Sequence, residues 1–358
     1  MKTILKPGIH WLFLFIPVAF LLNVYEFEAP LVFFAAALAI IPVSILIGDS
    51  TEQVAKYTSD AVGGLLTATF GNLPELIIGV VALNAGLHQM LLASIAGAII
   101  ANILLVMGVS FFVCGLKNHT VEYNSGSVRV YSSMMLVAII SLMVPSAFNR
   151  LTNTEEIFTQ SESFLNIGIS IALLSAYLLY LIFMLVTHAN FFKNKEDGKE
   201  AEKPHWSLKK SITFLLIAST LVAFLSEVLV GAAEETGKSL GMSTVFVGVI
   251  FVAIVGAAGN IPAITMASKG KMDLSISIVM GSAIQLSLFV APLLALISMV
   301  LGPGQMALEF SRLLLMIIFL SVILGVVIAG DGIANWYKGV QLIIMYLMIA
   351  LMFYFAPN

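Results

Sequence analysis

The sequence is short of charge. Only 10% of its 358 residues are charged and 60% are hydrophobic, which gives a mean hydropathy of +1.04. A soluble chain carries about 25% charged residues, enough to cover its surface. This chain cannot cover a globule in that way, and its apolar runs match the roughly 20 residues that a helix needs to cross a bilayer. Unbroken runs also exclude a β-barrel, whose strands alternate in polarity. We therefore predict an all-α polytopic membrane protein.

Cysteine is scarce, and the motifs of common enzymes are missing. The one cysteine, Cys114, lies inside an apolar run, so a disulfide framework within one chain is excluded. The sequence has no Ser/His/Asp order, no nucleotide-binding loop and no metal-hydrolase spacing. We therefore predict that the protein is not an enzyme and has no cofactor.

Apolar windows predict about eleven transmembrane helices. The windows are residues 10–24, 30–48, 61–84, 90–116, 128–148, 164–188, 211–231, 243–268, 273–301, 309–329 and 338–355. The stretch KNKEDGKEAEKPHWSLKK (193–210) separates the sixth window from the seventh. Its mixed charge and lack of apolar residues predict a solvated linker.

Lysine and arginine fall mainly on one side of the predicted bundle. With a cytoplasmic N-terminus, only Arg150, Lys238 and Arg312 of the 17 basic residues face outward. Cytoplasmic loops of membrane proteins carry the excess of basic residues. We therefore predict an integral protein of the plasma (inner) membrane, with its N-terminus cytoplasmic and its C-terminus outside.

Two short stretches echo each other: GNLPELIIG (71–79) and GNIPAITMA (259–267). When the first window is set aside, five windows precede the linker and five follow it, and each stretch lies in the second of its five. Because five is odd, the two halves insert in opposite directions. Inverted repeats with matched Gly/Pro interruptions are typical of the binding sites of secondary transporters. We predict an N-terminal helix (1–29), a first five-helix repeat (30–190), a linker (191–210) and a second five-helix repeat (211–358).

The first echo carries a carboxylate, Glu75, near the middle of a membrane span. Such a charge costs about 2.5–3.5 kcal/mol at the helix centre, so it must be paired, protonated or bound to a cation. A group that holds either a proton or a metal ion is suited to cation/proton exchange. Gly71 and Pro74 interrupt the helix and free backbone carbonyls, which are the hard oxygen ligands that Ca²⁺ prefers.

The remaining site candidates are polar or small residues in or near the two echoes. SIAGAIIANILLVMG (94–108) and SIVMGSAIQLSLFVAP (277–292) follow the echoes and form a second matched pair. The predicted cation site comprises Gly71, Asn72, Glu75, Asn102, Gly259, Asn260, Ser282 and Gln285. Four acidic residues are candidates for proton coupling: Glu75, Glu227, Glu234 and Glu235.

These residues resemble a known family, the cation/proton exchangers of the Ca²⁺/cation antiporter superfamily. The resemblance covers nearly the whole chain. GGLLTATFGNLPELIIGVVALNAG (63–86) is similar to the first family repeat, and SEVLVGAAE (226–234) and KGKMDLSISIVMGSAIQLSLFVAP (269–292) resemble the second. The resemblance implies eleven helices, two inverted repeats and proton-driven Ca²⁺ efflux by alternating access. It also implies that Glu75 is the carboxylate of the first repeat that exchanges Ca²⁺ for H⁺.

The second repeat departs from the family, which has G-N-A-A-E-H there. Matching by GN-x-P places Ala263 at the glutamate position, whereas matching without gaps from FVGVIFVAIVGAAGN (246–260) places Asn260 there. Neither residue is acidic, so one midplane carboxylate offsets only one of the two charges of Ca²⁺.

Three hypotheses follow from the departure. The first is Ca²⁺/H⁺ antiport, with Ca²⁺ as the transported substrate. The second is antiport of Na⁺ or K⁺ against H⁺, and the third is an exchange-impaired member of the family. The expected partners are Ca²⁺, H⁺ and the lipid bilayer, without nucleic acid, and self-association into a homo-oligomer is left open.

Overall fold

The computed structural model describes residues 9–151, 158–192 and 204–356, most of which are helical. A 3₁₀ turn (Ile9–Leu14) leads into the first helix. The helices are α1 (Phe15–Val24), α2 (Ala29–Ala55), α3 (Asp60–Phe70), α4 (Leu73–Asn84), α5 (His88–Asn118), α6 (Ser125–Leu151), α7 (Phe158–Ile182), α8 (Ala189–Phe192), α9 (Leu208–Ser239), α10 (244–257), α11 (Ile261–Ser268), α12 (Met272–Ile297), α13 (Arg312–Ala329) and α14 (Trp336–Phe355). Helix α7 continues as a π-helical turn, and α5, α10 and α12 contain π-helical segments at Ala101–Val106, Val247–Val252 and Leu286–Val290.

The prediction of a polytopic helical membrane protein is confirmed. Nine helical stretches among the described residues are long and apolar enough to cross a membrane, and two shorter apolar ones are Trp11–Val24 and Leu73–Asn84. The third predicted window (61–84) is two helices, because the chain breaks between α3 and α4. Residues 193–203 of the predicted linker lie outside the described residues.

A two-stranded sheet, which the sequence did not predict, joins the halves. Strand β1 (Thr120–Glu122) follows α5, strand β2 (Ile333–Asn335) follows α13, and they pair antiparallel. Strands of three residues are too short to show the alternating pattern that predicts a strand. The pairing fixes the ends of α5 and α13 at the same end of the bundle.

Contacts between loops define two ends of the bundle. We call one end the linker end, because Phe191, at the start of the predicted linker, lies there. At this end Asn124 contacts both Asp273 and Phe191. The start of α3 belongs to this end, because α3 packs against residues 183–187. At the opposite end, Asn166 Nδ2 donates to the carbonyl oxygen of Met306, and Gly302 lies against the backbone of Leu83.

The two echoes lie on spans that run in opposite directions. Helices α3 and α4 run from the linker end to Leu83 at the opposite end. Helix α10 starts at the opposite end, where Gly248 lies against Met90, and α11 finishes at the linker end, where Lys117 Nζ donates to the Ser268 carbonyl oxygen. The antiparallel arrangement predicted from the sequence is therefore present. Helices α5, α12 and the α10–α11 span are the most buried of the bundle and form its centre.

The last part of the predicted linker, just before α9, is held by the end of α2. Gln53 is buried, and its Oε1 accepts hydrogen bonds from the backbone N–H groups of His205 and Trp206 at 2.8 and 3.3 Å. The Tyr57 hydroxyl donates to the Trp206 carbonyl oxygen at 2.6 Å. These bonds tie the start of α9 to the turn between α2 and α3.

We expect Gln53→Ala to destabilise this junction. Loss of the side-chain oxygen leaves two backbone N–H groups without their acceptor, at a cost of about 1–3 kcal/mol. The measurement is the apparent Tm of the purified protein in detergent, which should fall by several degrees. Gln89→Ala is the matched control, because Gln89 is exposed at the start of α5. An unchanged Tm for Gln53→Ala contradicts the prediction.

Candidate functional site

The two echoes produce the same backbone feature. Helix α3 ends at Phe70, and α4 begins at Leu73 with Pro74 in its first turn. Helix α10 ends in a 3₁₀ turn (Ala258–Asn260), and α11 begins with Pro262 in its first turn. Proline favours a helix start because it has no N–H to leave unpaired there. Asn72 and Asn260 occupy the N-cap positions of these two helices, which begin inside the bundle, and neither side chain bonds the first turn of its helix.

The two breaks face each other. A Cβ atom built on Gly259 would lie 3.8 Å from the Gly71 carbonyl oxygen. Asn72 and Asn260, the residues that follow these glycines, are 1% and 5% exposed. The sequence pairing of the echoes is thus a spatial pairing at the centre of the molecule.

Five buried polar residues form a hydrogen-bonded group that we call the amide cluster. They are Asn72, Asn102, Asn260, Ser282 and Gln285. Asn72 Nδ2 donates to Gln285 Oε1 at 3.0 Å and to the Ser282 carbonyl oxygen at 3.2 Å, and Ser282 Oγ donates to Asn72 Oδ1 at 2.7 Å. The cluster joins α5 and the two breaks to α12.

Asn260 completes the cluster from the second half. Its Nδ2 donates to Asn102 Oδ1 at 2.8 Å and to Ser282 Oγ at 2.9 Å, and Asn102 Nδ2 also donates to Ser282 Oγ at 3.1 Å. All members of the cluster are uncharged at any ordinary pH. The cluster offers side-chain oxygens to a cation without offering negative charge.

Glu75 lies beside this cluster but is not bonded to it. Both carboxyl oxygens are buried, and neither has a hydrogen-bond partner among the described residues. The carboxyl borders a cavity of about 20 Å³, lined mainly by apolar side chains of α5, α10 and α12, with Ser94 as a further polar residue. A cavity that holds one water needs about 10–15 Å³, so this one accommodates a single small species. An unpartnered carboxylate in such a place requires a proton or a cation.

The residue that matches Glu75 in the second half depends on what is compared. By helix start, Glu75 is the third residue of α4 and the buried Ala263 is the third residue of α11. The second comparison uses the residues around Glu75. Glu75 packs against Gly256, where a Cβ atom built on the glycine would lie 2.9 Å from Glu75 Cγ, and it borders the cavity together with Ala98 and Leu286.

The neighbours favour Asn260 as the counterpart. Helices α5 and α12 are equivalent in the two halves, and we align them at Gly97 and Gly281. In this alignment Ala98 of α5 corresponds to Ser282 of α12, and Asn102 of α5 corresponds to Leu286 of α12. Asn260 contacts both Ser282 and Asn102. These two residues are equivalent to Ala98 and Leu286, which border the cavity with Glu75. The second half therefore places a neutral amide where the first half places a carboxylate.

The structure does not join the other acidic candidates to Glu75. Glu227, Glu234 and Glu235 are exposed on α9, and Glu234 pairs with Lys238 at 2.7 Å. None of them bonds the Glu75 carboxyl, whose oxygens have no partner in the described part of the chain. A role for these three residues in proton coupling stays a prediction.

Two features of the site were not singled out from the sequence. Gly256 leaves room for the Glu75 side chain, and the only signal was its place in the small-residue run GAAG (256–259). The Thr69 carbonyl oxygen accepts from Gln285 Nε2 at 3.1 Å, which holds the end of α3 to the cluster. The Thr69 hydroxyl bonds back to the Leu65 carbonyl oxygen of its own helix.

Comparison with known proteins identifies relatives across nearly the whole chain. A family model described as sodium/calcium exchanger protein matches residues 28–186 and 210–355. A Ca²⁺/H⁺ antiporter of Synechocystis sp. is 36% identical over 97% of both chains, and the Ca²⁺/H⁺ antiporter ChaA of Bacillus subtilis is 37% identical over 95% of this chain and 96% of its own.

Solved structures show the same fold. The structure of native YfkE superposes with a TM-score of 0.82 and 34% identity, covering 96% of this chain and all of the other. The H⁺/Ca²⁺ exchanger CAX superposes with a TM-score of 0.73 over 98% of this chain and 88% of its own. At 14% identity, the second match supports the fold alone.

Proposed function

Because the chain belongs to the sodium/calcium exchanger protein family, we propose that it is a Ca²⁺/H⁺ antiporter that works by alternating access at Glu75. The observation that carries the proposal is the Glu75 carboxyl, buried without a hydrogen-bond partner beside two facing helix breaks. Curated relatives at 36% and 37% identity named as Ca²⁺/H⁺ antiporters support it.

Glu75 supplies the chemistry of exchange. Protonated, the carboxyl is neutral and tolerates its apolar cavity, and deprotonated, it needs a cation to offset its charge. Ca²⁺ takes six to eight oxygen ligands, including backbone carbonyls and amide oxygens. We propose that Gly71, Asn72, Asn260 and Gln285 supply such oxygens around the carboxylate. Binding of Ca²⁺ then requires loss of the proton, which couples the two ions.

The antiparallel halves supply alternating access. Helices α4 and α11 start at facing breaks and run toward opposite ends of the bundle. Rocking of one half against the other opens the same site to either end. We propose the repeat boundaries 30–190 and 211–358, which the two segments matched by the family model support.

We propose that the linker end is cytoplasmic and that the protein lies in the plasma membrane. Lys117, Lys269, Lys271 and Lys338 all lie in or beside connections at this end. The excess of basic residues on the cytoplasmic side of membrane proteins supports this orientation. Protons entering from outside then drive Ca²⁺ out of the cytosol.

A pH-gradient assay tests the proposed function. Protein is reconstituted into vesicles with an acidic lumen, and Ca²⁺, Na⁺ or K⁺ is added outside in turn. We expect Ca²⁺ to dissipate the gradient and to accumulate inside. A response to Na⁺ or K⁺ alone establishes the second candidate, monovalent cation/H⁺ antiport, which the neutral Asn260 and Ala263 favour. No response to any of the three cations contradicts both.

We expect Gly256→Ala to impair exchange without unfolding the protein. The added methyl group lies 2.9 Å from Glu75 Cγ, so the carboxylate must move by several tenths of an ångström. A misplacement of this size costs about tenfold in the rate of Ca²⁺ exchange. Gly231→Ala is the control, since its added methyl group meets nothing within 4 Å. A wild-type rate for Gly256→Ala contradicts the placement of Glu75.

A further inference from the structure

The site has one formal charge among the described residues. Helix α4 packs against α2, α5, α9 and α12, and α11 packs against α5 and α12. The ionisable residues of these helices lie away from the amide cluster. They are Asp49, Glu52 and Lys56 at the linker end of α2, His88 at the start of α5, Cys114 and Lys117 near the end of α5, Asp273 at the start of α12, and Lys209, Lys210, Glu227, Glu234, Glu235 and Lys238 on α9.

Asn260 occupies the position in the second half that is equivalent to Glu75, but its neutral amide cannot carry a charge. Its Nδ2 is committed to Asn102 Oδ1 and Ser282 Oγ, and the residue is 5% exposed. Its neighbours in the second half are equivalent to those of Glu75 in the first. The cluster therefore fixes a neutral amide opposite the carboxylate.

We infer that Asn260 sets the electrical charge that crosses the membrane with each Ca²⁺. This inference rests on the proposed Ca²⁺/H⁺ exchange at Glu75. Ca²⁺ brings two positive charges and Glu75 offsets one, so the loaded site carries a net charge of +1. On the return, one proton neutralises Glu75 and the site carries no charge. One Ca²⁺ moves one way and one H⁺ the other, so one positive charge moves with Ca²⁺.

The charge determines how Ca²⁺ distributes in an electric field. With one net charge per cycle and equal pH on both sides, the equilibrium Ca²⁺ ratio changes tenfold for about 59 mV of membrane potential. With a second carboxylate, the loaded site is neutral, two protons return, and the Ca²⁺ ratio does not depend on the potential. The two cases differ in an equilibrium value, which the rate of the exchanger does not affect.

The experiment uses the full chain in proteoliposomes at equal internal and external pH. A K⁺ diffusion potential is imposed with valinomycin, and the equilibrium Ca²⁺ ratio is measured at several potentials. We expect Ca²⁺ to accumulate tenfold per about 59 mV on the negative side. A ratio that does not change with potential, or accumulation on the positive side, overturns the inference. If wild-type protein moves no Ca²⁺ under a pH gradient, the proposed function itself has failed.

Variants at the same position provide the matched test. Asn260→Asp adds a carboxylate of nearly the same shape, and we expect its Ca²⁺ ratio to lose the dependence on potential while pH-driven exchange persists. Asn260→Ser loses a proposed Ca²⁺ ligand and should exchange more slowly, but it stays neutral, so its equilibrium Ca²⁺ ratio should still change tenfold per about 59 mV. If Ala263→Glu removes the response and Asn260→Asp does not, the second position is 263 and the assignment to Asn260 is wrong.

Discussion

Glu75→Gln should reduce pH-driven Ca²⁺ uptake by at least about 100-fold. A unit charge pair at 4 Å is worth about 4 kcal/mol at an effective dielectric constant of 20, and 1.4 kcal/mol is tenfold in affinity. The amide keeps the shape of the carboxyl but can neither release a proton nor offset the charge of Ca²⁺. The measurement is the initial rate of Ca²⁺ uptake into acid-loaded vesicles.

Two controls separate the loss of chemistry from the loss of fold. Glu122→Gln removes an exposed carboxylate on β1 and should retain the wild-type rate. The apparent Tm of Glu75→Gln should be at least that of the wild type, because the substitution removes an unpartnered buried carboxyl. Normal uptake by Glu75→Gln would refute the assignment of the site.

Gly97→Ala should produce the largest loss of stability. Helix α5 crosses α10 at this glycine, and an added Cβ would collide with the carbonyl oxygen of Val249 and lie 2.6 Å from its Cα. Backbone atoms cannot move aside as the end of a side chain can, so the two central helices must separate. Overpacking of this kind costs about 3 kcal/mol or more. We expect poor yield of folded protein and a Tm lower by several degrees.

Gly168→Ala is the matched control for this prediction. Gly168 lies on an exposed position of α7, and an added methyl group there meets nothing within 4 Å. Alanine favours a helix over glycine by about 0.5–1 kcal/mol, so this variant should be as stable as the wild type or slightly more stable. Equal Tm values for the two alanine variants would show that α5 and α10 do not cross closely at Gly97.

Two features of the broken spans, the position of each helix break and the direction of each span, could be predicted from the sequence. Pro74 and Pro262 mark the helix breaks because proline has no N–H and restricts the residue before it, and these constraints are local to the chain. The opposite directions of the two echoes follow from their positions on the third and eighth predicted spans, which are five apart, because successive spans alternate in direction. Both features were predictable because neither depends on distant residues.

Other features depend on how distant segments approach. The sequence offered both Ala263 and Asn260 as the counterpart of Glu75, and the choice rests on the contacts of Asn260 with Asn102 and Ser282, which are 158 and 22 residues away. The role of Gly256 likewise depends on Glu75, which comes from the other half.

The sequence by itself determined the class and most of the spans, and it offered Glu75 as the acidic residue of the proposed site. Membrane insertion depends on local hydropathy, and a carboxylate inside an apolar span is costly wherever its neighbours lie. Only the tertiary structure decided which polar residues join in the amide cluster, and that Glu75 borders a mainly apolar cavity without a hydrogen-bond partner. Hydrogen bonds between side chains act over about 3 Å, so their partners are set by the packing of helices that are far apart in the chain.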